Sequence, residues 1–454
     1  MLILLLLLML FFIIIHLFYW RTLLLGKVDV DNLSMISDLS HNVVLITSFN
    51  ESEEILESTI RHAKLISNIK EIYVLDDGNR SWLKALSAKL EVKYIKRLIN
   101  LDAKAGSLNN AFALIECDFA LILDADMVVD DDTMSIALPH FRDDSIAIVQ
   151  FPQEYYNTNS FQHWKHGEEW TDLSFGLRTV NMKRNHFKAG YWCGSPSVVR
   201  VGSLKEIGGV SVDSVTEDLA TSLELMSAGF WVKTLKNKIA HCLAPTDYIS
   251  YITQRQRWSK GFFQLWWNRD NPLLRKISLS AKIEWLGDFL YHIQMSFYLI
   301  IINVLPFHLC MNDYSYSDLL SPKQAIAFIV VFISVYLVNI KIAGPHYKVF
   351  QMQVYMRLSM LSVAFGFMDS LFRDNSFEVT PKLNSKDFSF RESMHKLFIV
   401  SLFVINAISV NYYIKDASLV GFNTIILLLS ATNAGFLIYA LRIITRKSHN
   451  PSVC

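Results

Sequence analysis

The 454-residue sequence predicts a mostly parallel α/β domain combined with an α-helical membrane region. Two observations predict it. Between residues 39 and 252, short β-branched runs alternate with stretches of helical periodicity, the pattern of a parallel sheet covered by helices. Outside that segment apolar residues pile up, at 1–20 and again beyond about 285. They bring the hydrophobic fraction to 52%, too apolar for a wholly soluble protein of mixed class.

The opening MLILLLLLMLFFIIIHLFYWR is long enough to cross a bilayer. It has no basic residue before the apolar run and no small-residue cleavage site after it, so 1–24 reads as a retained anchor, with a cleaved signal peptide as the alternative. HNVVLITSF is a buried-strand run, and NESEEILESTIRHAKL after it has helical spacing with acids in its first turn. EIYVLDD follows as a second strand, KYIKRL as a third, AGSLNNAFALI as a helix and FALILDAD as a further strand. Further spans are expected near 285–307, 323–343, 395–414 and 418–441. The stretch 346–372, broken by Arg357 and Asp369, reads instead as an amphipathic interfacial helix. Basic flanks at Arg21, Lys27, Arg442, Arg446 and Lys447 favour the cytoplasm, whereas the loop MNDYSYSDLLSPK leans acidic. Five spans with the N-terminus outside satisfy these flanks and put the α/β domain in the cytoplasm. A formal net charge of +1, with no basic tract beyond helix flanks, argues against a nucleic-acid partner. Cys117, Cys193, Cys242, Cys310 and Cys454 show no C-x-x-C pairing, so neither a disulfide framework nor a zinc site is indicated.

Ligands of open α/β sheets gather at the carboxyl ends of strands, and two strands here end on paired acids. Asp76 and Asp77 alone read first as a turn or a helix cap. Asp124 and Asp126 say more, because two carboxylates two residues apart can converge on one hard cation, Mg²⁺ or Mn²⁺, that also takes phosphate oxygens. Thr216-Glu217-Asp218 opens a helix with apolar positions at Leu219, Leu223 and Met226. Acids in a first turn cap a helix, and a carboxylate there can equally serve as a general base toward a hydroxyl. TQRQRWSKGFFQLWW (253–267) carries cations and aromatic rings immediately before the apolar runs, where membrane anchoring and anion binding are both open.

Taken in order, VLDDG, LDADM, TED and QRQRW resemble the D, D-x-D, T/E-D and Q-x-x-R-W signature of processive family 2 glycosyltransferases, the cellulose, chitin and hyaluronan synthases. AKAGSLNNA and YWCGSPSVVR resemble two further family segments. FEVTPK resembles the gating loop of bacterial cellulose synthases, and the resemblance runs from about residue 40 to the end of the last span. It implies a GT-A type α/β domain at 39–252, an interfacial helix carrying QRQRW at 253–280, and a channel region at 281–454 with a gating loop at 373–390. It implies that Thr47, Phe49, Glu51, Asp76 and Asp77 hold the uridine of a UDP-sugar. Lys104 would approach the nucleotide, and Asp124 and Asp126 would meet the diphosphate through Mg²⁺ or Mn²⁺. Asp218 would be the catalytic base, with Glu217 beside it, and Cys193 and Gly194 would lie near the growing polysaccharide. Gln254 and Arg257 would contact the pyrophosphate and Trp258 would stack under the terminal acceptor sugar, leaving Trp266 and Trp267 as interfacial anchors. Phe377, Val379, Thr380 and Lys382 would close over the nucleotide. Asp288, His292 and Gln294, which interrupt a span, would face a polysaccharide path.

Met127 follows D-A-D where such synthases often show His, and Phe49 stands where Tyr is more usual. The function expected is an inverting, processive polymerase of a UDP-sugar, UDP-glucose foremost, in the plasma (inner) membrane. Membrane lipid and accessory export subunits are the further partners implied. Hyaluronan- or chitin-type synthesis, a two-sugar capsular product, transfer to a lipid phosphate, and a non-enzymatic scaffold or transporter are the alternatives.

Overall fold

The computed structural model describes residues 2–28, 40–97, 99–165, 167–267, 271–311, 322–372, 390–415 and 422–445. Its strands are β1 (Asn42–Ser48), β2 (Glu71–Asp76), β3 (Lys93–Lys96), β4 (Phe119–Asp124), β5 (Val128–Val129), β6 (Ile146–Gln150), β7 (Glu154–Tyr155), β8 (Ser197–Arg200), β9 (Trp231–Thr234) and β10 (Ala240–Cys242). Seven of them form one sheet in the order β3-β2-β1-β4-β8-β6-β9, and β5-β10-β7 form a small second sheet. In the large sheet β8 runs antiparallel to β4 and β6, and the other pairs are parallel.

The apolar runs form strands because both faces are covered. Val44, Ile46, Val74, Leu121 and Leu123 point to one core, shared with Leu56 and Ile60 of helix Glu53–Ala63 and Leu83 and Leu86 of helix Ser81–Lys89. The alternate residues Val43, Leu45, Leu75, Ala120 and Ile122 point to the other, against Leu108, Ala111 and Phe112 of helix Ala103–Leu114. The period of two sends successive side chains to opposite faces, and near-continuous hydrophobic strands result when both faces are buried. The polar ends of β1, β2 and β4 then come together at one edge of this sandwich.

Among the described residues, five helices are long and apolar enough to cross a membrane: Ile3–Leu25, Leu279–Met311, Ile326–Ala343, Phe390–Lys415 and Asn423–Ile444. The chain is an integral membrane protein. Leu279–Met311 is the most enclosed of the five and Ile326–Ala343 the most exposed. The α/β domain is tied to the first two through Arg184, a buried cation. Its guanidinium donates twice to Asp288 at 2.6 Å and reaches Glu284 at 3.3 Å. Glu284 in turn pairs with Arg21 and accepts from the Thr22 hydroxyl at 2.6 Å. Lys183 beside it donates to the carbonyls of Leu23 and Gly26, capping the first helix.

The helix bearing QRQRW spans Tyr248–Trp267, so it starts earlier than 253, and the next helix begins at Leu279. Trp266 corrects the expectation of an interfacial anchor: it is buried, 4.5 Å from the Phe289 ring and 6.3 Å from Phe262. Trp267 is exposed. Helix Val349–Ser370 also departs from its expected one-sided character, being buried on most sides between Val354 and Gly366. Small residues allow this. Ser359 and Ser362 are buried along it, and Gly366 lies so close to the QRQRW helix that a Cβ would stand 2.6 Å from the Gln256 carbonyl oxygen and from the Ser259 Cβ. Arg357 is held by Asn433 at 2.8 Å and Gln353 at 2.9 Å and lies over the Phe436 ring.

Gly366→Ala is therefore expected to destabilise the protein by roughly 1–3 kcal/mol through overpacking of backbone against backbone. Thermal unfolding in detergent, followed by tryptophan fluorescence, should show a lower midpoint for Gly366→Ala. Gly202→Ala, where an added Cβ meets nothing within 4 Å, should leave it unchanged.

Candidate active site

The C-terminal ends of β1 and β4 are paired in register, Thr47 opposite Asp124. They open onto a cavity of about 1150 Å³ that continues from the sheet edge to Met295, Tyr355 and Met356 among the apolar helices. Asp124 lies at its floor. Lys104, at the start of helix Ala103–Leu114, reaches an Asp124 oxygen at 2.5 Å, and Ser195 donates to the same oxygen at 3.1 Å and accepts from Lys104 at 2.9 Å. Burial alone would lower the affinity of Lys104 for its proton. Asp124, Glu217 and Asp218 around it raise that affinity above the usual value.

Asp126 also lines the cavity, and one of its oxygens accepts the Leu243 backbone N–H at 3.1 Å. Among the described residues no cluster of three or more His, Cys, Asp or Glu side chains suits a metal. Two carboxylates facing one cavity nevertheless fit Mg²⁺ or Mn²⁺, which keep several positions for water and phosphate oxygens. The donor set is all oxygen, as a hard cation requires.

Of the residues expected around the nucleoside, Thr47, Phe49, Glu51 and Asp77 line the cavity. Glu51 accepts from the Phe49 backbone N–H at 2.8 Å, and burial raises its pKa. Asp77 is gripped by Arg97 through two bonds of 2.8 and 2.6 Å. Asp76 corrects the expectation: it is buried at 1% exposure and does not line the cavity. Its carboxylate takes the backbone N–H groups of Gly78 and Arg80, the Arg80 side chain at 3.0 Å and the Tyr94 hydroxyl at 2.8 Å. Arg80 then donates to the Glu51 carbonyl and to Ser48, so Asp76 braces the Phe49–Glu51 turn from behind.

Asp218 sits at the start of helix Glu217–Ser227, where Leu219 N–H donates to it at 2.9 Å. Burial, and then the neighbouring Glu217, push its pKa up to about 7, against the opposing pull of the Leu219 N–H, Lys104 and Arg257. Gly194 has φ +76°, and a Cβ there would lie 3.5 Å from both an Asp218 oxygen and the Lys104 nitrogen. The base candidate and the cation that holds Asp124 thus converge over one glycine. Cys193, whose thiol burial pushes well up, is tethered by its backbone N–H to Gln150 at 2.9 Å. Gln254, Arg257 and Trp258 line the same cavity, with Gln254 accepting from Gln162 at 2.9 Å. Of the polar residues interrupting the second span, Asp288 and His292 line the cavity, Asp288 already engaged by Arg184 and His292 stacked 3.9 Å from Phe262. Gln294 is buried outside the lining. Phe377, Val379, Thr380 and Lys382 lie outside the described residues.

The sequence model of the family described as "Glycosyl transferase family group 2" matches residues 119–341, and with it come the carboxylate pair, TED and QRQRW. Residues 119–341 thus match a family 2 glycosyltransferase model, and the chain is similar in sequence to cellulose synthase catalytic subunits. It is 31% identical over 258 residues to the cellulose synthase catalytic subunit (UDP-forming) of Xanthomonas axonopodis pv. citri (strain 306), covering 55% of this chain and 35% of that one. It is 34% identical over 241 residues to the corresponding subunit of Pseudomonas fluorescens (strain SBW25), covering 51% and 32%. The matched region thus amounts to about a third of those relatives' length. The GT-A fold is shared with a mannosyltransferase from Pyrobaculum calidifontis, solved in complex with GDP-Man and Mn²⁺. The TM-score is 0.57 at 14% identity, over 80% of this chain and 96% of that one.

Two features of this site escaped the motif reading. Ser195 joins Lys104 and Asp124, and its signal was its place beside Cys193 and Gly194 in YWCGS. Gly261 lies against Thr216, where a Cβ would fall 2.4 Å from the threonine Oγ1, while Gln264 accepts the Val215 N–H at 3.1 Å. Gly261→Ala is expected to displace the TED turn and cut turnover at least tenfold, with nucleotide affinity held within about twofold. Steady-state kinetics beside a UDP titration would check this.

Proposed function

We propose that this glycosyltransferase is a processive, inverting polysaccharide synthase that uses a UDP-sugar, UDP-glucose foremost, with its α/β domain on the cytoplasmic side of the plasma (inner) membrane. The observation that supports the reading is the convergence of Asp218 and Lys104 on Gly194, with Lys104 bonded to Asp124, in a cavity that also holds Trp258 and runs on among the apolar helices. Identity to UDP-forming cellulose synthase subunits supports the donor class.

In this reading the nucleoside lies between Phe49, Glu51 and Asp77, and the diphosphate meets Lys104, Gln254 and Arg257. A guanidinium can donate two parallel bonds to phosphate oxygens. The acceptor sugar rests on Trp258 near Cys193 and Gly194. Asp218 removes the proton from its hydroxyl as that oxygen bonds to the anomeric carbon and the bond to the leaving phosphate oxygen breaks. Attack from the opposite face inverts the configuration. Lys104 and Arg257 stabilise the charge that develops on UDP. Mg²⁺ or Mn²⁺ held by Asp124 and Asp126 would add positive charge beside the leaving diphosphate. The domain division at 39–252, 253–280 and 281–454, and partnership with accessory export subunits, belong to the same proposal.

Incorporation of radiolabelled UDP-glucose, UDP-N-acetylglucosamine and UDP-glucuronate, singly and in pairs, tests it on purified protein in vesicles. High-molecular-weight product from one donor marks a homopolymer synthase, and dependence on two marks a heteropolymer synthase. Asp218→Asn should lower incorporation about 10²–10⁴-fold. Full activity in that variant, or polymer from no donor, would sink the reading. EDTA should abolish synthesis and Mg²⁺ or Mn²⁺ restore it.

The pH profile has a definite sign. A carboxyl with a pKa of about 7 is protonated, and useless as a base, below that value. The free-enzyme kcat/KM should therefore fall about tenfold per pH unit on the acid side of about 7 and level off above it. An acid limb near pH 4 would show that the titrating base does not carry the raised pKa of the buried Asp218.

A further inference from the structure

Arg97 follows strand β3 and lies beside Asp77, which follows β2, because the two strands pair with Asp76 opposite Lys96. Its guanidinium grips both oxygens of the Asp77 carboxylate, at 2.8 Å from Nε and 2.6 Å from Nη2. The same side chain holds the next turn. Nη1 donates to the Leu101 carbonyl at 2.5 Å, and Nη2 lies 2.9 Å from both the Ala103 carbonyl oxygen and Asn100 Oδ1. The side chains of Arg97 and Asp77 are 9% and 8% exposed. Asp77, Asn100, Asp102 and Ala103 line the cavity and Arg97 does not, so Arg97 acts on that wall from behind. Gly106 leaves room for it, since a Cβ there would fall 2.4 Å from Arg97 Nη1.

The turn that Arg97 holds is strained. Asp102 has φ +60° and Ala103 φ +41°, left-handed values that cost an L-residue energy, and alanine has no polar side chain to offset them. Such backbone persists only where its surroundings impose it, and the Arg97 bonds on either side of Asp102 do so. On Asp77 the two parallel bonds fix the rotation of the carboxylate, as a single point charge would not. A carboxylate clamped in this way offers only acceptor lone pairs to a ligand. Uracil, with a ring N–H between two carbonyls, suits such a group. Cytosine has a bare ring nitrogen at the same place and would set acceptor against acceptor.

We propose that Arg97 is the positioning residue for base selection: by clamping Asp77 and the turn 100–103 it makes the cavity favour a uracil over a cytosine nucleotide. This role rests on the reading that the nucleoside lies between Phe49, Glu51 and Asp77.

The test is direct binding to the full-length protein in detergent with Mn²⁺, without turnover. UDP, CDP and inorganic pyrophosphate are each titrated by calorimetry. Wild type is compared with Arg97→Gln, with Asp77→Asn and with the double variant, which replaces the ion pair by two neutral amides and so leaves no buried charge unpaired. Arg97→Gln is expected to weaken UDP by about tenfold or more, with CDP and pyrophosphate held within about twofold, so that the preference for UDP narrows. Because Arg97 acts through Asp77, the double variant should bind UDP within about twofold of Asp77→Asn alone. The role is overturned if Arg97→Gln keeps the wild-type preference for UDP, if all the ligands weaken together, or if the effects of the two substitutions add. Wild type that binds UDP no tighter than CDP would overturn the nucleoside reading itself. A preference lost in Asp77→Asn and kept in Arg97→Gln would leave that reading standing and remove Arg97 alone.

Discussion

Helix Tyr248–Trp267 crosses two neighbours at distances only glycine permits. On one side Gly261 admits Thr216 of the TED turn, and on another Gly366 of helix Val349–Ser370 admits the helix's own backbone at Gln256 and Lys260. Side chains at either point would push the elements apart, because packed interiors cannot absorb an extra carbon without shifting neighbours. The geometry of the proposed site depends on this fit. The same helix presents Gln254, Arg257 and Trp258 to the cavity, and through Gln264 it holds the backbone just before Asp218. One element therefore sets the distance between the proposed base, Asp218, and Gln254, Arg257 and Trp258 across the cavity.

The Arg184 cluster is the second constraint, and its energetics differ. Removing one partner from a buried ion pair leaves an uncompensated charge and costs several kcal/mol, although the pair itself stabilises little relative to apolar packing. Its contribution is geometric. Arg184 belongs to the α/β domain, Glu284 and Asp288 to the second span, and Arg21 and Thr22 to the first, so three parts of the chain distant in sequence share one charge-neutral knot. Asp288 lines the cavity from this knot, and His292 one turn on stacks against Phe262 of the QRQRW helix. Catalytic domain and membrane helices thereby keep a fixed register around the cavity.

Much of this was legible in the amino-acid sequence, for physical reasons. Strands and helices of the α/β domain follow from local periodicity, and the carboxylates fall at strand ends because the chain turns there. All five apolar spans are visible from hydropathy alone. What stayed hidden depends on residues distant along the chain. Asp76 looks like Asp77 in VLDDG, yet Arg80 and Tyr94 claim its carboxylate, and only the approach of β3 to β2 reveals that. Asp172 had no motif around it, because its partner Arg255 lies 83 residues away. Trp266 followed the usual habit of tryptophan near apolar spans, until the contact with Phe289 buried it.

The charges around Asp218 follow one logic. Burial and Glu217 push the carboxyl toward its protonated form, whereas Lys104 and Arg257 pull it back toward the carboxylate. In the proposed reaction these same two cations face the departing diphosphate. Each would thus act on both ends of the displacement, keeping the base unprotonated before attack and stabilising the leaving charge during it. The two effects reinforce each other near neutral pH, so neutralising either cation would lower the fraction of active base and raise the barrier together. Glu217 works in the opposite direction, making the Asp218 carboxylate more basic and therefore, in the proposed reaction, a stronger proton acceptor. In the proposed reaction, a base tuned to about 7 by opposed neighbours of this kind is poised near neutral pH.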